Sequence, residues 1–92
     1  MTDRMNPISA QVSLYSLRQP DLGPAIAEAL EIFRAAGLDV QPGAMSTMVT
    51  GEADAVFDGL KAAFQAAAAR GDVVMAVSLS NCCPVPGAPP RA

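Results

Sequence analysis

The chain has 92 residues, which is the length of a single domain. Its six basic and nine acidic side chains give a formal charge of −3, and it contains no histidine. Because histidine is absent, Ser-His-Asp triads, Cys-His nucleophiles and imidazole metal ligands are excluded, and we expect no enzymatic activity, no cofactor and no metal. The few, scattered basic residues also argue against a nucleic-acid partner, which requires a clustered cationic surface.

The apolar content indicates a small hydrophobic core. Apolar residues make up 51% of the chain, but 18 of these 47 residues are alanine, which leaves 29 larger side chains. A domain of this size also buries only about 60–65% of its unfolded surface. We therefore expect the chain to associate with itself as a homodimer or homotetramer.

No segment is predicted to enter a membrane or to direct secretion. The longest apolar run, Val73–Val77, is far shorter than the ~18 residues of a membrane span. Residues 1–7 are polar and lack the apolar centre of a signal peptide. We expect a cytoplasmic domain over residues 8–84, with flexible termini at 1–7 and at the proline-rich residues 85–92.

In the first half of the chain, a strand pattern precedes a helix pattern. Residues 8–15 alternate between apolar and polar, as in a strand with one face on the core. Apolar residues then recur three to four apart and predict an amphipathic helix with a buried stripe of Leu22, Ile26, Ala29, Leu30 and Phe33. Pro24 fits the first turn of this helix, and Gly37 is placed to end it in a left-handed conformation.

A hairpin is predicted to follow the first helix. Leu38 and Val40 begin a short second strand, and Pro42-Gly43 fit the centre of a type II turn. The return strand covers residues 45–50, which are rich in β-branched side chains.

The last two elements are a helix and a strand. The helix follows residue 54, ends at Gly71 and has a predicted buried stripe of Val56, Phe57, Leu60, Ala63, Phe64 and Ala67. The strand is Asp72–Ser80, which has apolar residues on both faces, so we expect it to be mostly buried.

The element order β-α-β-β-α-β predicts an α+β fold. With right-handed crossovers in both halves, it forms a ferredoxin-like sandwich, in which a four-stranded antiparallel sheet carries both helices on one face. The other sheet face is then open. Its mixture of polar and apolar side chains is typical of a surface that meets a ligand or a partner.

Short polar side chains cluster at the ends of two predicted strands. Ser46 and Thr47 begin the third strand, and Ser80 and Asn81 end the fourth. Hydroxyl and amide groups of this kind recognise a neutral heterocycle through paired donors and acceptors. The same residue types also suit strand edges and turns, which is the more frequent explanation.

Other candidate residues have two interpretations each. Tyr15, beside Ser13 on the polar face of the first strand, could stack on a planar ligand or form a subunit contact. Glu52 could face a cationic ligand or stabilise the N-terminus of the second helix. Met75 could line an adaptable pocket or fill the core, and the core is favoured. Cys82-Cys83 are expected to be reduced thiols.

Three segments, residues 8–17, 46–52 and 74–84, resemble the YkoF-type family of thiamine- and hydroxymethylpyrimidine-binding proteins. The matching motif residues are Ser46-Thr47, Gly51-Glu52 and Ser80-Asn81 with Cys82 and Pro84. The resemblance implies a non-enzymatic, ferredoxin-like binding protein of the single-repeat form, which assembles into dimers or tetramers. Ser, Thr and Asn side chains would bind the aminopyrimidine of thiamine, and Glu52 with Tyr15 would bind its cationic thiazolium.

Three functions from different classes follow from these observations. The first is a cytoplasmic binding protein for thiamine or a related pyrimidine such as hydroxymethylpyrimidine. The second is an oligomeric regulatory or scaffolding module whose open sheet face serves only to pair subunits. The third is a thiol enzyme that uses Cys82 or Cys83, and it is disfavoured because no histidine or neighbouring basic residue would activate the thiol.

Overall fold

The computed structural model describes residues 7–17, 23–43 and 46–81. Their secondary structure is β1 Pro7–Leu17, α1 Gly23–Ala35, β2 Asp39–Pro42, β3 Thr47–Glu52, α2 Ala53–Ala68 and β4 Asp72–Ser80. The element order is the predicted one, and β4 has the predicted bounds. Leu22, Met45 and Cys82-Cys83 lie outside the described residues, as do most of the residues expected to form flexible termini.

The four strands form one antiparallel sheet in the order β2-β3-β1-β4. β1 is central, and its Val12 lies opposite Thr47 of β3 and Val77 of β4. The two helices contact each other, and α1 contacts β2 while α2 contacts β1, β3 and β4. This is the ferredoxin-like sandwich that the element order predicts.

The core lies between the helices and one face of the sheet. From β1, alternate residues such as Ala10 and Val12 are buried in it. The largest fully buried side chains are Phe33, Val49 and Val56. Most other buried positions of the helices hold alanine or glycine, so the core is as small as the composition indicates.

The end of α1 brings two large side chains together. Gly37 adopts a φ of 82°, the left-handed conformation that the sequence predicts. Its N–H donates to the carbonyl of Arg34 at 3.0 Å, and the N–H of Leu38 donates to the carbonyl of Phe33 at 3.2 Å. This pair of bonds is a Schellman motif, which ends the helix and turns Leu38 back toward Phe33 in the core.

Leu38 occupies space that two glycines leave open. A Cβ atom on Gly51 of β3 would lie 2.5 Å from Cδ2 of Leu38. A Cβ atom on Gly59 of α2 would lie 3.1 Å from Cδ1 of Leu38 and 3.3 Å from Cδ1 of Phe33. β3 and α2 therefore approach Leu38 more closely than they could if Gly51 and Gly59 carried Cβ atoms.

The predicted turn at Pro42-Gly43 is wrong. Pro42 is the last residue of β2, where it lies opposite Thr47. The N–H of Gly43 donates to the carbonyl of Ser46 at 2.8 Å, so the chain reverses only after Gly43. Pro42 is tolerated within the strand because β2 is at an edge of the sheet.

Three predictions of burial are also wrong. Phe57 and Phe64 are 53% and 42% exposed, because α2 contacts the core through Val56 and small residues instead. Ile26 of α1 is 39% exposed. β4, expected to be mostly buried, is mostly exposed because it forms an edge of the sheet.

Replacing Gly51 tests the close packing around Leu38. Gly51→Ala should lower the free energy of unfolding by about 1–3 kcal/mol, because the added methyl group overlaps the buried Leu38 side chain, which Gly59 and Phe33 border on its other side. Leu38→Val removes the overlapping Cδ atoms, so the double variant should lose less than the sum of the single losses. Urea unfolding of the four proteins measures this coupling, and strictly additive losses would contradict it.

Candidate ligand-binding site

A cavity of about 130 Å³ lies between α1 and the sheet. Leu14 of β1, Ile26 and Leu30 of α1 and Met75 of β4 contribute to its apolar wall. The exposed fraction of Ile26 is explained by its position on this wall. The cavity is open to solvent in part, so a small molecule can reach it from outside.

The polar groups of the cavity come from the β2–β3 connection. Gly43, Ser46 and Thr47 all line it. Thr47 lies opposite the buried Val12, and its side chain therefore points to the helix-covered face of the sheet. The cavity thus has apolar side chains along its walls and the Thr47 hydroxyl where the hairpin reaches it.

Ser46 is held in place by a residue of the neighbouring strand. Nε2 of Gln11 donates to Oγ of Ser46 at 3.1 Å. Gln11 lies between the core-facing Ala10 and Val12, so its side chain is on the open face of the sheet, and this bond directs the Ser46 hydroxyl to that face. Gln11 is not among the predicted site residues, since only the strand register brings it near Ser46.

Other candidate residues lie on the opposite, open face of the sheet. Ser80 lies opposite Ser9 of β1, which in turn lies opposite Thr50 of β3. The hydroxyl oxygens of Ser9 and Thr50 are 3.3 Å apart and buried. Ser9 and Thr50 were not predicted as site residues, and the β1–β3 register is the feature that pairs them.

The predicted site residues are therefore not brought into one cluster. Ser46 and Thr47 line the cavity, whereas Ser13, Tyr15 and Ser80 belong to the open face. Tyr15 is 53% exposed and lies opposite Val74 of β4. Asn81 follows β4 directly, at the end of the described chain.

Glu52 is the N-cap residue of α2. Its backbone is extended, with φ −66° and ψ 142°, and its Oε1 accepts a hydrogen bond from the N–H of Ala55 at 3.3 Å. This is the structural role that the sequence allows for Glu52. Contact between Glu52 and a ligand stays a prediction.

Residues 7–17, 23–43 and 46–81 contain neither a candidate metal site nor a candidate membrane-spanning helix. No group of three or more His, Cys, Asp and Glu residues in these ranges could hold a metal ion. In the same ranges, no helix has the length and apolar character needed to cross a membrane.

The fold and the cavity together define a small α+β domain with a partly open cavity that is lined by apolar side chains and by Thr47. The model of the YKOF-related family matches residues 8–86. The chain therefore belongs to the YKOF-related family. No curated protein matches it.

Solved structures share this fold. A hypothetical protein from Methanocaldococcus jannascii superimposes with a TM-score of 0.76 at 26% identity, over 83% of this chain and 80% of the other. A Streptococcus pneumoniae protein superimposes with a TM-score of 0.73 at 20% identity, over 80% of this chain and 84% of the other. A candidate thiamine biosynthesis/salvage protein from Thermotoga maritima superimposes with a TM-score of 0.68 at 17% identity, over 79% of this chain and 81% of the other.

Substitutions of Glu52 test its capping role. Glu52→Ala should lower the free energy of unfolding by about 0.5–1 kcal/mol, because the N–H of Ala55 loses its side-chain acceptor. Glu52→Gln keeps a side-chain oxygen that can cap the helix and should retain most of this stability. Thermal unfolding of the three proteins measures the difference, and an Ala variant as stable as the native protein would contradict the capping role.

Proposed function

We propose that this chain is a non-enzymatic, cytoplasmic protein that binds thiamine or a related pyrimidine such as hydroxymethylpyrimidine. The binding domain spans residues 8–84, and the pyrimidine ring occupies the cavity beside α1. The observation that carries the proposal is this apolar cavity with Ser46 and Thr47 in its wall. Membership of the YKOF-related family and the fold shared with the Thermotoga maritima protein support it.

The size of the cavity favours a single ring. A dry apolar cavity of about 150 Å³ takes up benzene. The present cavity, of about 130 Å³, is close to that size and would hold one six-membered ring. The pyrimidine would then lie inside, and the thiazolium ring of thiamine would remain outside in solvent.

The polarity of the cavity also suits an aminopyrimidine. The faces of such a ring are apolar and fit against aliphatic side chains such as Leu30 and Met75. Its edge carries an amino donor and ring-nitrogen acceptors, and the hydroxyl group of Thr47 can donate to or accept from this edge. Roles for the other predicted ligand residues, Ser13, Tyr15, Glu52, Ser80 and Asn81, stay predictions.

A second candidate function is an oligomeric module without a small-molecule ligand. The observation that favours it is the exposure of Tyr15, Leu17 and Val74, which are 53%, 46% and 46% exposed at one end of the open sheet face. A second subunit could cover these side chains. This function needs no occupant in the cavity, and ligand titration therefore distinguishes it from the first.

Calorimetric titration of hydroxymethylpyrimidine and of thiamine tests the proposal. Both should bind, because both carry the ring that fits the cavity. Thr47→Val, which keeps the shape of the side chain but removes its hydroxyl, should raise the Kd about five- to tenfold through the loss of one hydrogen bond.

The matched control is Thr50→Val on the same strand. Thr50 faces the opposite side of the sheet and pairs with Ser9, so this variant should lose stability but keep the native Kd. No heat at millimolar concentration of either ligand would overturn the proposed function. Equal weakening by both variants would instead show that the Thr47 hydroxyl has no specific role.

A further inference from the structure

Four residues of β2, β3 and their connection come together beside the cavity. The N–H of Gly43 donates to the carbonyl of Ser46 at 2.8 Å. A Cβ atom on Gly43 would lie 2.8 Å from the same carbonyl oxygen, so a side chain there would displace Ser46. Pro42 and Thr47 lie opposite each other as the next residue pair. We refer to Pro42, Gly43, Ser46 and Thr47 as the hairpin end, and all four line the cavity.

Ser46 lies just beyond the paired part of β3. The ladder of β3 with β1 ends at the pair Thr47 and Val12, and its ladder with β2 ends at Thr47 and Pro42. Neither ladder includes Ser46. β2 is itself an edge strand of four residues, and its Pro42 has no backbone N–H to donate. The position of Ser46 therefore depends on contacts other than the ladders of the sheet.

A side chain of β1 supplies such a contact. Gln11 lies opposite Met48 of β3, which is two residues along the chain from Ser46. Residues two apart on a strand share a face, and diagonal neighbours of this kind are about 7–8 Å apart, which a long side chain spans. Nε2 of Gln11 donates to Oγ of Ser46 at 3.1 Å. This bond ties Ser46 to a central strand of the sheet.

The same bond connects the two faces of the sheet. The Gln11 side chain is exposed on the open face. The main chain of Ser46 continues directly into Thr47, whose side chain points to the helix-covered face and lines the cavity. The Ser46 carbonyl also holds Gly43, which lines the cavity from the side of β2. A shift of Ser46 would therefore move both neighbours at the cavity.

We propose that Gln11 is a positioning residue for the cavity site. Gln11 does not line the cavity, and it acts through Ser46 on the position of the Thr47 hydroxyl. This inference rests on the proposed function, because it concerns the affinity of the cavity for a pyrimidine ring. It adds that a residue of the open face controls this affinity from the other side of the sheet.

A purely structural role for Gln11 makes different predictions. In that case the loss of the hydrogen bond would lower the free energy of unfolding and leave the Kd unchanged. The bond is exposed, however, and it lies outside the core. Its loss should therefore be felt locally, at the hairpin end, more than in the unfolding of the whole domain.

Three substitutions separate these roles. Gln11→Met keeps the length of the side chain and removes the hydrogen bond. Gln11→Glu restores the bond with its direction reversed, because a carboxylate accepts from the Ser46 O–H. Ser78→Ala is the matched control, since Ser78 is exposed opposite Gln11 on β4, on the side away from Ser46. All three changes are at exposed positions, so the variants should fold, which circular dichroism checks.

Calorimetric titration of hydroxymethylpyrimidine measures the effect on affinity. Gln11→Met should raise the Kd about two- to fivefold, because the Thr47 hydroxyl is less well positioned for the ring. Gln11→Glu and Ser78→Ala should keep the native Kd. In a Thr47→Val background, Gln11→Met should have no further effect, because the hydroxyl through which it acts is absent.

Amide hydrogen exchange, measured by NMR, provides a readout that needs no ligand. The Gly43 N–H reports on Ser46, because it donates to the Ser46 carbonyl. Gln11→Met should speed its exchange about three- to tenfold, the change expected for the loss of one hydrogen bond, and Gln11→Glu should restore the native rate. The Leu38 N–H, which donates to Phe33, should exchange at the native rate in every variant.

The outcomes distinguish this inference from the proposed function. A native protein that binds the ligand, with the same Kd in Gln11→Met, would overturn the positioning role alone. Equal weakening by Gln11→Met and Ser78→Ala, or unchanged exchange of Gly43, would also overturn it. A native protein that binds no pyrimidine would overturn both, even if faster Gly43 exchange in Gln11→Met showed that Gln11 holds the hairpin end.

Discussion

The packing of Leu38 against Phe33, Gly51 and Gly59 determines how the two layers of this domain meet. The Schellman motif at the end of α1 directs Leu38 into the core, and the two glycines allow β3 and α2 to reach it. Few other large side chains are available in a chain so rich in alanine. Where this contact ends, the remaining space between α1 and the sheet is filled incompletely, and the cavity lies there.

The element order and the bounds of β4 could be predicted because they depend on local periodicity and on Gly37. The buried side of α2 could not be predicted, because Phe57 and Phe64 fit the same helical pattern as the small residues that are buried instead. The long-range contact of Gly59 with Leu38 decides between them. A hydrophobicity pattern contains no information about such a contact, nor about a cavity whose apolar wall residues have the same spacing as residues of a filled core.

The candidate site was predicted by residue type, and only part of it lies at the cavity. Ser46 and Thr47 line the cavity. The predicted turn at Pro42-Gly43 implied a different pairing of β2 with β3 from the one that the structure has. In a sheet, a shift of one residue exchanges the two faces for every side chain of a strand. Alternation along β3 already places Thr47 and Thr50 on opposite faces, and the register with β1 decides which of them faces the helices.

The cavity beside α1 is also a packing defect. Its wall atoms lack the dispersion contacts that neighbouring side chains would provide, and the folded chain forgoes that stabilisation while the space holds only solvent. A side chain large enough to fill the space would make the fold tighter and would close the site. The cavity thus lowers the packing density of the domain, and a molecule that bound there would supply part of the missing contacts and stabilise the folded state.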